Sequence, residues 1–337
     1  MTNVINNNYL ISKKARDVVA DVLGYEIEKL QIKPVSGGYS RNRRSVVGRD
    51  DTWVFVKEVD TTLLPNGGKE EKWWLKKDNL CVGALNKIVP EFVPEWSRLE
   101  LGGHVLIMPA YIKEDGWLWQ LPKYIKLQNK YIEAVLNVTK KLETVNFKDS
   151  EIKKMQLQPY FRDKIGYDEG FDQIIKSKTV RNKLLEKFVS LKNVYPESDQ
   201  LKYDQVIILF NNKNELKEFK NIATNLTKQP NDCFGLCDVR SDNIAYNTNT
   251  GQIKLVDWNW ASFTPKNFGS TEFLIDMARQ GVDIKAWFNS INIELLVALI
   301  GYWLKSCINK PLAPGNNLRD MQAISAANAL SIYNLIK

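Results

Sequence analysis

The 337-residue sequence predicts an α+β fold in two consecutive parts: an antiparallel sheet with one packed helix over residues 1–109, and a mainly helical part over residues 110–337. Three observations predict it. Before Pro109, β-branched and aromatic runs alternate with turn residues around a single long helical pattern. After Pro109, apolar residues recur at helical spacing in long segments. Inside that helical part lies one short β-like passage, from Asn243 to Asp257.

Taken in chain order, a short helix around Lys13 to Leu23 opens the chain. Gly48-Arg49-Asp50-Asp51 is a turn, so Trp53 to Val59 is the second strand of a hairpin. Thr61 to Gly68 punctuates, and a helix starts at Lys69, with Trp74, Leu75 and Leu80 on its apolar side. A second hairpin follows, with strands Phe92 to Leu99 and His104 to Met108 joined by Glu100-Leu101-Gly102-Gly103 and closed by Pro109. The two parts join directly near Met108 to Tyr111. Amphipathic segments then cover Tyr124 to Val145, Val180 to Leu191 and Asn214 to Thr227. Residues Asn243 to Tyr246 and Gln252 to Asp257 form a hairpin across Asn247-Thr248-Asn249-Thr250-Gly251, and helices resume at about Ser270. No internal repeat or low-complexity tract interrupts this order.

At 44% hydrophobic and 26% charged residues, the disordered and fibrous classes are excluded. The longest apolar stretch, Leu295 to Leu304, falls well short of the roughly 20 residues that span a bilayer, so no membrane partner is expected. The N-terminus has no apolar signal core, and a cytoplasmic location is expected. Four cysteines without CxxC spacing read as reduced thiols. A single histidine, His104, rules out a zinc site of several imidazoles and catalysis by a histidine pair. Carboxylate, lysine and hydroxyl chemistry remains. The net charge of +8 suits an anionic ligand, but the lysines are scattered and nucleic acid is not an expected partner. The one tight basic cluster, Arg41, Arg43, Arg44 and Arg49, reads as a solvated hairpin face, with phosphate steering as the alternative. Trp117, Trp119, Trp287 and Trp303 read as core, with an aromatic cage for a cation as the alternative. Nothing in the sequence defines an oligomeric state.

The chemistry concentrates in Asp238-Val239-Arg240-Ser241-Asp242-Asn243, followed by Val256-Asp257-Trp258. Phosphoryl transfer needs a carboxylate to orient and deprotonate the attacking hydroxyl, and an amide with a second carboxylate to hold magnesium against the phosphates. Asp238 fits the first need; Asn243 and Asp257 fit the second. Asp242 reads as a turn cap. Arg240 either contacts phosphate or braces the loop through Asp242 or Asp257.

The same block resembles the aminoglycoside phosphotransferase and choline kinase-like family, in the subgroup with D-L-R-x-D-N and D-W-P-W-A. This chain has Asp238-Val239-Arg240-Ser241-Asp242-Asn243 and Asp257-Trp258-Asn259-Trp260-Ala261. Leu236 and Cys237 stand where the family has His and Gly, a loop anchor, and Asp276-Met277-Ala278 resembles the family's D-L-A. The resemblance implies a protein kinase-like two-lobed fold, with a nucleotide-binding N-lobe over 1–109 and a catalytic and substrate-binding C-lobe over 110–337. It implies ATP (or GTP) and Mg2+ as cofactors. The implied partner is a small-molecule hydroxyl acceptor: an aminoglycoside-like antibiotic, sugar, amino alcohol or other metabolite. A catalytically silent pseudokinase that binds nucleotide or a partner protein is the alternative, suggested by Leu236 and Cys237. Ser36-Gly37-Gly38-Tyr39-Ser40 resembles the family's phosphate-approaching turn, which places Gly37, Gly38 and Ser40 in the nucleotide site. Lys57 fits the phosphate-binding lysine, Glu71 (with Glu70 as competitor) its partner on the next helix, and Met108 the hinge residue of the nucleotide site.

Overall fold

The computed structural model describes residues 10–35, 42–62, 64–157, 169–195, 197–310 and 317–337. Its strands are β1 (Gln31–Pro34), β2 (Arg43–Arg49), β3 (Thr52–Glu58), β4 (Arg98–Glu100), β5 (Val105–Pro109), β6 (Trp117–Leu118), β7 (Cys233–Leu236), β8 (Ile244–Asn247), β9 (Ile253–Leu255) and β10 (Ala261–Thr264). The helices that matter below are α1 (Lys13–Leu23), α2 (Lys69–Leu85), α3 (Ile125–Glu143), α4 (Asp149–Met155), α5 (Glu169–Lys176), α6 (Lys178–Val194), α7 (Glu197–Asn211), α8 (Lys213–Asn225), α9 (Phe268–Arg279), α10 (Ile293–Cys307) and α11 (Leu318–Ile336). The chain forms two units. One contains Met1–Val138, Asn146–Leu157 and Asp242–Ala261, the other Thr139–Val145, Gln158–Ser241 and Ser262–Lys337.

In the first unit, five antiparallel strands lie in the order β1-β2-β3-β5-β4. Strand side chains alternate between faces, so β3 divides its residues cleanly. Val54 and Val56 join Val47, Val105 and Ile107 against Ala15 and Val19 of α1. Phe55 faces the other way, toward Leu106, Met108 and Leu75 of α2. The alternation sends Glu58 toward α1 as well. There its carboxylate accepts the Ser12 N–H at 2.6 Å, while the Ser12 side chain caps Ala15 and Gly24 ends the helix in left-handed conformation.

The expected strand over Phe92 to Leu99 is corrected: Pro90–Phe92 is a 3₁₀ turn and only Arg98–Glu100 pairs with β5. Pro90 and Pro94 have no N–H to give a ladder. The carbonyls of Pro90 and Val93 are committed elsewhere, to the ammonium of Lys254 at 2.9 and 2.7 Å.

That ammonium explains a second difference. The expectation divided the chain once, after residue 109, whereas Asp242–Ala261 groups with the N-terminal sheet. Its hairpin pairs Ile244 with Leu255 and Tyr246 with Ile253, and β6 adds to its edge. Polar ties hold it. Lys254, 2% exposed, also meets Glu95 at 3.0 Å, and Lys77 of α2 donates to the Ala261 carbonyl at 2.9 Å. Trp260 packs on Trp74 of α2 with ring centroids 6.1 Å apart.

In the second unit, β7 pairs with β10 and the rest of the core is helical. The apolar run expected from Leu295 to Leu304 is α10, whose Leu295 to Gly301 are all buried. α5 crosses it closely enough that a Cβ on Gly170 would stand 2.2 Å from the Gly301 carbonyl oxygen. Only glycine fits there. Among the described residues, no helix is long and apolar enough to cross a membrane.

A buried ammonium with three oxygen partners is a strong local tie. Lys254→Met keeps the volume and orphans those acceptors, so it should lower stability by about 2–3 kcal/mol in urea unfolding, with the slope unchanged. The exposed Lys29, paired with Glu26, provides the control, and Lys29→Met should change little. Equal effects of the two substitutions would remove this account of the hairpin's attachment.

Candidate active site

In the first unit the chemistry gathers on Lys57. It follows Phe55 on the α2 side of β3 and is 6% exposed. Its Nζ donates to Asp257 Oδ1 at 2.9 Å and to Asp78 Oδ2 at 3.4 Å. The other oxygen of Asp78 accepts the Trp258 N–H at 3.0 Å, so one carboxylate of α2 holds both the lysine and the residue after Asp257. Asp257 sits at φ 66°, a left-handed conformation that Asp tolerates better than most residues. Burial works against the ammonium, but Asp257 and Asp78 outweigh it and hold the Lys57 pKa up. Burial and then the Asp257 charge, against the pull of Lys57, push the Asp78 carboxyl up to about 6.

The expected partner of Lys57 was Glu71, and this is corrected. Glu71 is half-buried in the first turn of α2, beside the exposed Glu70. Asp78 lies seven residues further on, about 10 Å along the axis, and it is Asp78 that reaches Lys57. A signal for it was present. Asp78 shares the apolar stripe of α2 with Leu75 and Val82, and a carboxylate among buried apolar residues needs a cation.

Asn243, 5% exposed, and Asp257 flank the β8–β9 hairpin, whose closing bond runs from the Val256 N–H to the Asn243 carbonyl at 3.0 Å. The hairpin therefore brings the two together. Arg44 stands directly opposite Lys57 across β2 and β3, and its charge works against the lysine's. Like charges so placed are unfavourable unless anions are near. A solvated face is therefore not what Arg44 forms, and Arg43 pairs with the buried Asp60 at 2.5 Å. Met108 is buried in β5 opposite Phe55. Gly37, Gly38 and Ser40 lie outside the described residues.

In the second unit, Asp238 follows β7. Leu236, Cys237 and Val239 around it are buried, so apolar packing anchors this loop where an imidazole was considered. Arg240 Nε lies 2.9 Å from Asp238 Oδ1, a bracing contact to a residue other than the two considered. The Ser241 N–H donates to Asp276 Oδ2 at 2.9 Å, Gln280 bonds both Ser241 Oγ and Asp276, and Arg279 pairs with Asp276. Asp242 is exposed. Away from these groups, Trp117 packs against Tyr111 with tilted rings, their centroids 4.6 Å apart, and Trp119 donates to the Tyr111 carbonyl. His104 Nδ1 meets the Leu101 carbonyl at 2.6 Å, and the four cysteines are free thiols.

No family model and no curated protein matches this chain. Solved structures do. The chain is similar to the choline kinase LicA from Streptococcus pneumoniae at 11% identity and a TM-score of 0.50, covering 94% of this chain and 98% of that one. It is similar to a Plasmodium vivax ethanolamine kinase at 12% identity and a TM-score of 0.51, covering 94% and 89%. It is also similar to the ADP-bound aminoglycoside phosphotransferase APH(2'')-Ib at 10% identity and a TM-score of 0.50, covering 96% and 99%. At these identities the likeness is one of fold, and with the sheet, helices and hairpin described above it identifies the chain's architecture as an α+β, protein kinase-like fold.

Proposed function

We propose that the protein is a small-molecule kinase that moves the γ-phosphoryl group of ATP or GTP onto a hydroxyl group. One observation carries the reading: a buried lysine of the central strand bound to a carboxylate of the next helix and to Asp257, which follows a hairpin opened by Asn243. Lys57 uses two of its three N–H groups on these carboxylates and is suited to meet phosphate oxygens with the third. A carboxylate with an amide oxygen, Asp257 with Asn243, is a donor set that would suit magnesium, and the Asp257 carboxylate is only partly shielded by Lys57, its side chain being 29% exposed. Magnesium held by Asn243 and Asp257 would supply positive charge to the β- and γ-phosphate oxygens. Asp238 then accepts the proton of the acceptor hydroxyl as its oxygen bonds to the γ-phosphorus and the bond to the leaving diphosphate breaks. Arg240 holds that carboxylate in place.

The resemblance of Asp238–Ala261 to the aminoglycoside phosphotransferase and choline kinase-like family supports the same assignment. Choline, ethanolamine and aminoglycosides, for which the structural neighbours are named, are hydroxyl compounds carrying a cationic nitrogen. Amino alcohols and amino sugars therefore head the panel of acceptors, with plain sugars and other hydroxyl metabolites behind them.

Asp238→Asn keeps the shape but not the basic charge. Calorimetry should find magnesium ATP bound as in the wild type, while transfer to any acceptor of the panel falls about 10²- to 10⁴-fold. Loss of nucleotide binding as well would make Asp238 structural. Loss of neither would leave a pseudokinase as the better reading.

Lys57→Ala should weaken nucleotide binding by about 1.5–3 kcal/mol, the range for a hydrogen bond to a charged group. Asp257→Ala should abolish turnover at every magnesium concentration without unfolding the chain. If Asp257→Ala turns over normally at saturating magnesium, the metal assignment fails.

A further inference from the structure

α9 presents two carboxyl groups to the loop after β7, Glu272 and Asp276, spaced i, i+4 so that both lie on one side of the helix. They are held very differently. Asp276 accepts from the Ser241 N–H and from Gln280, and pairs with Arg279. Glu272 accepts from the Val239 N–H, and its Oε2 is sealed from solvent with no hydrogen-bond partner among the described residues. The charged and titratable groups facing Glu272 are Asp238 and Arg240 of the loop and Tyr302 of α10; Tyr302 bonds Ser306 and has Arg319 of α11 nearby. Burial and then the Asp238 charge push the Glu272 carboxyl well above the ordinary carboxylate range, against the Val239 N–H and Arg240. A carboxyl group that keeps its proton is far less costly to seal away than a carboxylate.

We propose that Glu272 is a positioning residue for the phosphoryl-transfer base: its buried carboxyl accepts the Val239 N–H and so pins the backbone next to Asp238. The inference rests on the kinase reading of Asp238. Neighbouring carboxyl groups titrate as a pair, and the proton stays where burial is deepest. With both ionised, repulsion would work against the Val239 anchor and displace Asp238. A misplacement of about 1 Å at a reacting group can cost on the order of 10²-fold in rate.

The test uses the full chain with magnesium ATP, water serving as acceptor until a better one is found. Glu272→Ala should lower kcat about ten- to a hundredfold while the KM for ATP stays within about twofold, because the loss falls on orientation and not on nucleotide binding. Glu272→Gln, whose amide oxygen still accepts from Val239, should recover most of that loss. It should also stay level on the alkaline side, where the wild type declines as Glu272 ionises.

A readout without turnover comes from linkage. Unfolded Glu272 loses its proton in the ordinary range and the folded residue keeps it to higher pH, so between the two values the folded state binds more protons and loses stability as pH rises. Glu272→Gln has no such loss. Its advantage in thermal midpoint over the wild type should therefore grow as pH rises above the ordinary carboxylate range. A pH-independent difference in midpoint, or the same alkaline decline in both proteins, would overturn the inference. If the midpoints behave as expected but Asp238→Asn hydrolyses ATP at the wild-type rate, the kinase reading falls and the positioning role falls with it, the buried acid itself standing.

Discussion

The first unit depends on the carboxylate of Asp78. One of its oxygens takes the Lys57 ammonium and the other the Trp258 N–H, so a single side chain of α2 ties the central strand to the residue after Asp257. A carboxylate this deep is stable only while both contacts persist, because an unpartnered buried charge costs several kcal/mol. Asp257 is thereby confined to one place, beside Lys57 and in a backbone conformation that few residues adopt unforced. Position here is imposed by charge pairing, with the apolar packing of Phe55, Leu75, Leu106 and Met108 supplying the frame.

Much of that frame is legible in the sequence because it is local. The boundaries of α1, the start of α2, the strand ending in Lys57 and the hairpin between Asn243 and Asp257 follow from periodicity and turn residues, and the structure has them. What the sequence hides is non-local. Glu71 and Asp78 lie on the same stripe of α2, and only the depth at which Lys57 meets the helix decides between them. The segment from Phe92 to Leu99 has strand-like composition, but its carbonyls serve Lys254, more than 150 residues away in the chain. Arg44 faces Lys57 because of a strand register that composition does not reveal. Glu272 and Asp276 look like ordinary acidic positions of an amphipathic helix until the loop they hold is laid beside them.

Three lysines of the first unit, Lys57, Lys77 and Lys254, are nearly inaccessible, and they join the passage from Lys254 to Ala261 to β3, to α2 and to the turn from Pro90 to Val93 respectively. A long flexible side chain ending in three donors can satisfy several backbone carbonyls at once, which an apolar residue of the same volume cannot do. Segments remote in sequence are thus joined in one register, because an ammonium displaced by one residue would lose its acceptors. Apolar contact alone would tolerate such a slip.

The two units hold their carboxyl groups in different ways. Around Lys57 two carboxylates meet the lysine, with Arg44 opposite it across the strands, and the Asp257 side chain stays 29% exposed. Around the loop after β7 there are three carboxyl groups, Asp238, Glu272 and Asp276, against Arg240 and Arg279. There burial disfavours a charge on Glu272, whose Oε2 is sealed from solvent. The Asp257 carboxylate is open to solvent whereas the Glu272 carboxyl is closed to it, and a closed carboxyl keeps its proton more readily than an open one.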